Sequence, residues 1–318
     1  MRSVARVVGA LGAILASLAV VVPGAGAAAV GKDRVLAVLV SYGSAQPYAR
    51  SVVSTALAEA DTFFRRSSYG KLSLVATVTP WLAGGPTRPD CGGSDRSFVP
   101  LREVANAAGY DPAKYDSVIY VVDGVRCGFH GIEHGSDVLL VTEPDQRLIV
   151  HELGHTFGIP HAAAVSVCSA LCVTNETGDL FSPMGSGFVD FNAYEKEQLG
   201  WIPRQPRVSR PGAYTVYPRT GRSLAHQAVV LEMPDAEYWL EQRPDTKTPA
   251  LIVHVVHPDE PSSWPIAPST LLLAPIRPGH VTITPGQTFR VRGEFSVKVA
   301  RKLAAPMRLL LTLHGGTH

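Results

Sequence analysis

Residues 151–161 read HELGHTFGIPH, and this stretch predicts a helix that carries a metal site. His151 and His155 are four positions apart, so on a helix they share one face and can bind the same ion. Glu152 would lie about 100° around the helix, where it could reach a metal-bound water without ligating the metal. The spacing therefore predicts two ligands and one general base.

The residues that follow allow the chain to return a third ligand. Gly158 permits a backbone turn that a residue with a Cβ atom would resist, and Pro160 discourages further helix. His161 can then meet the first two histidines. Three neutral imidazoles with an open fourth position are typical of a catalytic zinc site, whereas a structural site is closed by four protein ligands. A helix whose histidines only cap or pack is the alternative.

The motif HExxHxxGxxH resembles the signature of the metzincin zinc metallopeptidases, which is followed by a methionine turn. A candidate turn, SPMGSG, lies at 182–187. The resemblance implies that Met184 lies beneath the zinc histidines as a hydrophobic floor and does not bind the metal; an ordinary turn residue is the alternative. The segments 68–74, 191–201 and 238–243 extend the likeness to secreted metzincins of the gametolysin and M6-like peptidase type.

Short apolar runs and helical periodicities alternate ahead of the motif. Val35–Val40 and Ser117–Val122 read as buried strands, and 47–66 and 99–108 as helices. This pattern and the resemblance both favour an α/β (α+β) metzincin-like catalytic domain over 31–205, built on a twisted, mostly parallel sheet.

In metzincins the strand just ahead of the zinc helix lies at the sheet edge and pairs with an extended substrate. Val138–Thr142 is the candidate for that strand, with an interior strand as the alternative. His130 and His134 precede it among several glycines, so both are expected in a solvated loop.

Residues 206–318 change in character. Short strand-like runs separated by Pro and Gly predict an all-β, β-sandwich-like C-terminal domain. A structural support for the catalytic domain is its expected role, and a binding module is the alternative. His254 and His257 are three apart with no acidic residue between them, so no metal role is expected for them.

Residues 1–30 predict a signal peptide, with two arginines, an apolar run and a small-residue cleavage site. A membrane anchor is the alternative. Removal of Arg2 and Arg6 leaves 27 basic and 27 acidic residues. This balance argues against nucleic acid or an anionic membrane as the main partner. We therefore expect a secreted, extracellular protein with no stable membrane association after cleavage.

Four cysteines suit an oxidising compartment, and three pairings are possible. Cys91–Cys127 with Cys168–Cys172 is favoured, since the first bond closes a long loop and the second ties a short one near the motif. A cysteine ligand to zinc is a weaker alternative. Calcium binding is not indicated, because Asp90, Asp95, Asp179 and Asp190 form no spaced carboxylate loop.

Together these patterns predict a secreted zinc-dependent endopeptidase with one catalytic Zn²⁺ and a protein or peptide substrate. Metal-activated water would attack the peptide bond, with Glu152 as general base. A zinc amidase acting on cell-wall peptides or small amides is one alternative. A non-catalytic binding protein on a metzincin scaffold is another.

Overall fold

The structure is a computed structural model that describes residues 28–43, 46–168, 172–218, 223–242, 250–257, 270–273, 282–291, 294–300 and 306–313. The predicted signal peptide lies outside the described residues except for positions 28–30. Within the described part of the chain, no helix is both long and apolar enough to cross a membrane.

The chain up to the helix that carries the histidine motif alternates strands and helices. In chain order its elements are β1 (Gly31–Ser41), α1 (Arg50–Ser67), β2 (Leu72–Ala83), α2 (Asp95–Ala107), β3 (Ser117–Asp123), β4 (Gly131–His134), β5 (Asp137–Leu140) and α3 (Gln146–Thr156). A 3-10 turn, Pro112–Lys114, precedes β3.

Five of these strands form one sheet in the order β2-β1-β3-β5-β4. All neighbours pair in parallel except β4, which runs antiparallel to β5. The predicted mostly parallel sheet is therefore confirmed. Strand β1 is apolar without alternation because helices cover both faces of the sheet: α1 and α3 share a core with Val35, Ala37 and Leu39, and α2 packs on the opposite face.

The prediction that Val138–Thr142 forms the edge strand is wrong. Strand β5 lies in the interior, between β3 and β4, and β4 forms the edge. The prediction of a loop around His134 is also wrong, because His134 belongs to β4. Glycines 128, 131 and 135 are typical of a loop, but residues 131–134 form a strand that pairs with β5. Ile132 packs on the sheet core, and His134 stacks on Phe98 with ring centroids 5.9 Å apart.

The remainder of the described chain is dominated by strands. Its elements are β6 (Ala162–Cys168), β7 (Cys172–Asn175), α4 (Ala193–Gln198), β8 (Arg207–Val208), β9 (Gly212–Val216), a 3-10 turn (Leu224–His226), β10 (Ala228–Glu232), β11 (Glu237–Gln242), β12 (Leu251–Val256), β13 (Thr270–Leu272), β14 (Thr288–Val291), β15 (Phe295–Val299) and β16 (Met307–Leu313).

These strands form two further sheets, in the orders β7-β6-β13-β12-β11-β10-β8 and β14-β15-β16-β9. Apolar side chains of the second sheet, such as Val253, share one core with those of the third, such as Val297. The opposite face of the second sheet carries Ile252 and Trp239, which pack towards Phe181 and α4. The β-rich region after residue 206 is thus layered as a sandwich.

The second sheet crosses the boundary predicted at residues 205 and 206. Strands β6 and β7 come directly after His161, yet β6 pairs with β13 from the C-terminal region. The chain that leaves the histidine motif is therefore held by the C-terminal strands.

The predicted disulfide between Cys91 and Cys127 is formed, with their Cα atoms 5.5 Å apart. It ties the segment before α2 to the segment before β4. Cys168 and Cys172 occupy opposite positions in the pairing of β6 with β7, and their side chains lie outside the described part of the structure.

Candidate metal centre

Helix α3 begins at a side-chain cap and is anchored by its apolar face. The carboxylate of Asp145 accepts a hydrogen bond from the backbone N–H of Leu148 at 2.8 Å, which satisfies one of the free donors of the first turn. Ile149, Val150 and Leu153 are buried in the core beneath the first sheet. This anchoring presents the histidine face of the helix on the other side.

The helix ends in a glycine turn that supports the site directly. Gly158 adopts φ +86°, its N–H donates to the carbonyl of His155 at 2.8 Å, and the Ile159 N–H donates to the carbonyl of Gly154 at 3.0 Å. These two bonds form a Schellman motif. The turn leaves the Ile159 carbonyl facing back towards His155 and lets the chain return with His161.

The three histidines of the motif come together as predicted. One nitrogen from each ring lies within 4.8 Å of the others, and the Nε2 atoms of His151 and His155 are 3.2 Å apart. Two nitrogens bound to one tetrahedral zinc at about 2.0–2.1 Å would lie about 3.3 Å apart. Across the described residues, this is the only group of histidine, cysteine and acidic side chains with the spacing of a metal site. The cluster can bind a metal ion.

Each imidazole is fixed from behind through its Nδ1 atom. His151 Nδ1 lies 2.8 Å from the carbonyl oxygen of Pro183, and His155 Nδ1 lies 2.8 Å from that of Ile159. A carbonyl oxygen can only accept, so both Nδ1 atoms carry the proton and both Nε2 atoms keep a lone pair. Two lone pairs facing each other at 3.2 Å repel unless a cation lies between them. The donor set therefore fits a metal ion.

The third histidine is oriented by a carboxylate. His161 Nδ1 lies 2.9 Å from Oε1 of Glu176, the residue directly after β7. The hairpin of β6 and β7 folds this glutamate back onto the ring. Carboxylates and carbonyls in this position fix the tautomer and increase the basicity of a metal-bound imidazole.

Burial keeps two of the ligands neutral. It lowers the pKa of His151 to about 4, although the bond to the Pro183 carbonyl opposes the shift. Burial, followed by the neighbouring His151 and His161, lowers the pKa of His155 to about 3. Neither ring has to release a proton at neutral pH before it binds a cation.

Glu152 lies beneath the edge strand. Its side chain is buried, and desolvation, followed by repulsion from Glu133, raises its pKa to about 8. A Cβ atom on Gly131 of β4 would stand 2.5 Å from Oε1 of Glu152. The absence of a side chain at residue 131 therefore gives the carboxyl its place. A dication beside it would favour the ionised form and lower this pKa again.

Met184 packs directly under helix α3. It is fully buried, and its sulfur fills the space that a Cβ atom on Gly154 would need. The Met184 N–H donates to Oγ of Ser182 at 3.0 Å, and the residue between them, Pro183, supplies the carbonyl for His151. This turn thus contacts the first histidine on one side and the helix backbone on the other.

Several residues of the site escape prediction from the sequence. Glu176 belongs to the sequence Asn175-Glu176-Thr177, which carries no sign of a contact to a histidine 15 residues earlier. The sequence also does not reveal the acidic partners of His254. No acidic residue lies between His254 and His257, but Asp179 and Glu241 reach His254 from distant segments.

The acidic residues considered for calcium are engaged by protein groups. Asp90 accepts from Ser97 at 2.5 Å, Asp95 pairs with Arg102 at 3.2 Å, and Asp190 pairs with the buried Lys196 at 2.6 Å.

No protein-family model matches this chain. No curated protein matches it in sequence. Among solved structures, it is similar to catalytically inactive OgpA from Akkermansia muciniphila in complex with an O-glycopeptide (glycodrosocin) substrate. The two share 10% sequence identity, and the match covers 90% of this chain and 92% of that chain at a TM-score of 0.35. So low a TM-score supports no conclusion about this chain, and the chemistry of the site rests on its own residues.

The lowered histidine pKa values predict an acid-sensitive metal-free protein. In the unfolded chain His151 and His155 titrate near 6.5, so at lower pH the unfolded state binds protons that the folded state excludes. The free energy of unfolding should therefore fall as the pH drops from about 6.5 towards about 4. Each ring contributes up to about 1.4 kcal/mol per pH unit in that window.

Urea unfolding of the metal-free wild type and of His155→Leu, at pH 7 and pH 5, measures this effect. We expect the wild type to lose about 1–2 kcal/mol more than the variant between the two pH values. An identical loss in both proteins would show that His155 is not held neutral by the fold.

Proposed function

We propose that this chain is a secreted zinc-dependent endopeptidase. The proposal is carried by one observation: one nitrogen from each of three imidazoles lies within 4.8 Å of the other two, while each Nδ1 atom faces a fixed acceptor. Two of these rings belong to the helix that also carries the buried Glu152. His151, His155 and His161 would hold one Zn²⁺ and leave a fourth position open. When bound, zinc would acidify water from a pKa of about 16 to about 7 and polarise the scissile carbonyl.

Glu152 would move the protons of the reaction. Its carboxylate would accept a proton from the attacking water and then deliver it to the nitrogen of the leaving amine. Its burial removes competing bulk water, and Gly131 leaves room for the side chain beneath β4. Met184 would serve as the floor of the site, where it limits movement of the histidine helix.

Strand β4 would bind the peptide. No other described strand pairs with its outer edge, so its main-chain donors and acceptors on that side can pair with an extended substrate. The same strand passes directly over Glu152 through Gly131. An open strand edge next to the general base favours an extended peptide over a small amide. The intact general base and three ligands favour catalysis over a purely binding role.

Secretion is part of this proposal. It is supported by the signal-peptide pattern of residues 1–30 and by the disulfide between Cys91 and Cys127, a bond typical of oxidising compartments.

The mechanism is tested by Glu152→Gln, which keeps the size of the side chain and removes the base. We expect cleavage of a quenched, unfolded protein substrate to fall by about 10²–10⁴-fold while the zinc content stays at that of the wild type. A chelator should abolish the wild-type activity, and added zinc should restore it. Turnover at the wild-type rate by zinc-loaded Glu152→Gln would refute the role of Glu152.

The contact between β4 and the general base predicts a second effect. The new methyl group of Gly131→Ala would displace the Glu152 carboxyl, so we expect kcat to fall about 10- to 100-fold with zinc retained. Gly128→Ala is the matched control, because a Cβ atom there meets nothing within 4 Å. Equal kcat values for the two variants would contradict the placement of Glu152 beneath β4.

A further inference from the structure

A second cluster of charged side chains is buried inside the protein, against the second sheet. His254 on β12, Glu241 on β11 and Asp179 in the segment after β7 are all fully buried. His254 Nδ1 lies 2.6 Å from Oε1 of Glu241, and His254 Nε2 lies 2.9 Å from Oδ2 of Asp179. Both ring nitrogens face carboxylates, so neither has a lone pair available for a metal.

The geometry makes His254 a cation that joins two chain segments. Burial by itself disfavours the charged ring, but the two carboxylates outweigh it and raise the pKa of His254 to about 10. Removing one partner from such a buried group leaves an uncompensated charge, so the three side chains hold one another in place.

Asp179 transmits this restraint to both sides of the metal centre. Its N–H donates to the carbonyl of Ala162 at 3.1 Å, and its carbonyl accepts from the N–H of Gly187 at 2.9 Å. The N–H of Ala162, the residue after His161, donates in turn to the carbonyl of Met184 at 2.9 Å. Asp179 is thus one hydrogen bond away from the chain at the third ligand and two from the methionine.

A second path reaches the same methionine from the same sheet. The hydroxyl of Thr270 on β13 accepts from the amide of Asn192 at 3.0 Å, and Asn192 caps α4 in a capping box with Glu195. Glu195 accepts from the hydroxyl of Ser182 at 2.8 Å, and Ser182 Oγ accepts from the N–H of Met184 at 3.0 Å. The C-terminal strands therefore hold the methionine turn at two points.

We propose that His254 is a positioning residue of the metal centre. Through Asp179 it fixes the chain that carries His161 and Met184, so that the second sheet helps to set the geometry of the metal centre. This inference rests on the proposed zinc function and deepens it. It implies that the C-terminal strands determine the position of His161, the third ligand.

The experiment compares His254→Gln with Val253→Ala in the full secreted chain. Val253 is the neighbour of His254 on β12, but its side chain is buried in the core on the opposite face of the sheet. Both substitutions perturb the same strand, and only the first breaks the path to the metal. The readouts are Tm, zinc affinity from competition with a chelator, and the visible absorption of the Co²⁺-substituted protein.

We expect His254→Gln to weaken zinc binding by about tenfold or more and to change the Co²⁺ spectrum. Val253→Ala should lower Tm while leaving both metal readouts as in the wild type. Equal metal affinity in the two variants would overturn the positioning role. If His254→Gln does not fold, Asp179→Asn carries the same test, because it keeps the backbone bonds of residue 179 and removes the charge that faces His254; an unchanged zinc affinity there overturns the inference.

Zinc binding by the wild type distinguishes a failure of the proposed function from a failure of this inference. A wild-type chain that binds no zinc would overturn both the proposed function and this inference. Zinc binding by the wild type with unchanged affinity in His254→Gln would overturn the inference alone.

Discussion

The site depends on three imidazole rings that are held by their Nδ1 atoms, with one nitrogen of each ring within 4.8 Å of the other two. A free imidazole can rotate and exchange its tautomer, whereas a ring whose Nδ1–H faces a fixed acceptor presents one lone pair in one direction. The acceptors here are the carbonyls of Pro183 and Ile159 and the carboxylate of Glu176. Each belongs to a different turn, so the folding of three separate segments determines whether the lone pairs converge.

Because each ring needs its own acceptor, the eleven residues of the histidine motif depend on segments far away in the sequence. The Ile159 carbonyl comes from the turn that ends helix α3, which the motif itself encodes. The Pro183 carbonyl comes from the methionine turn, and Glu176 from the end of the β6–β7 hairpin. Both of these segments are held by C-terminal strands, through the pairing of β6 with β13 and through the buried His254. The contacts that support the site thus extend across the boundary predicted at residues 205 and 206.

The sequence predicts the parts of the site that depend on local spacing. Periodicity or sequence pattern predicts the three histidines and the turn at Gly158. It also predicts the mostly parallel sheet and the disulfide between Cys91 and Cys127. The prediction of the edge strand is wrong, because the glycines in and around β4, among them Gly131 over Glu152, resemble loop residues. The contacts of Glu176 and His254 have no local signal: Glu176 contacts a histidine 15 residues away, and His254 contacts carboxylates 13 and 75 residues away.

The proposed function requires three imidazoles to bind one zinc ion at an open site. X-ray absorption at the zinc edge of the metal-loaded protein tests it most directly. The proposed function predicts three imidazole nitrogens and one or two oxygen ligands, all at about 2.0–2.2 Å. A first shell that contains sulfur, or fewer than three imidazoles, would contradict the account.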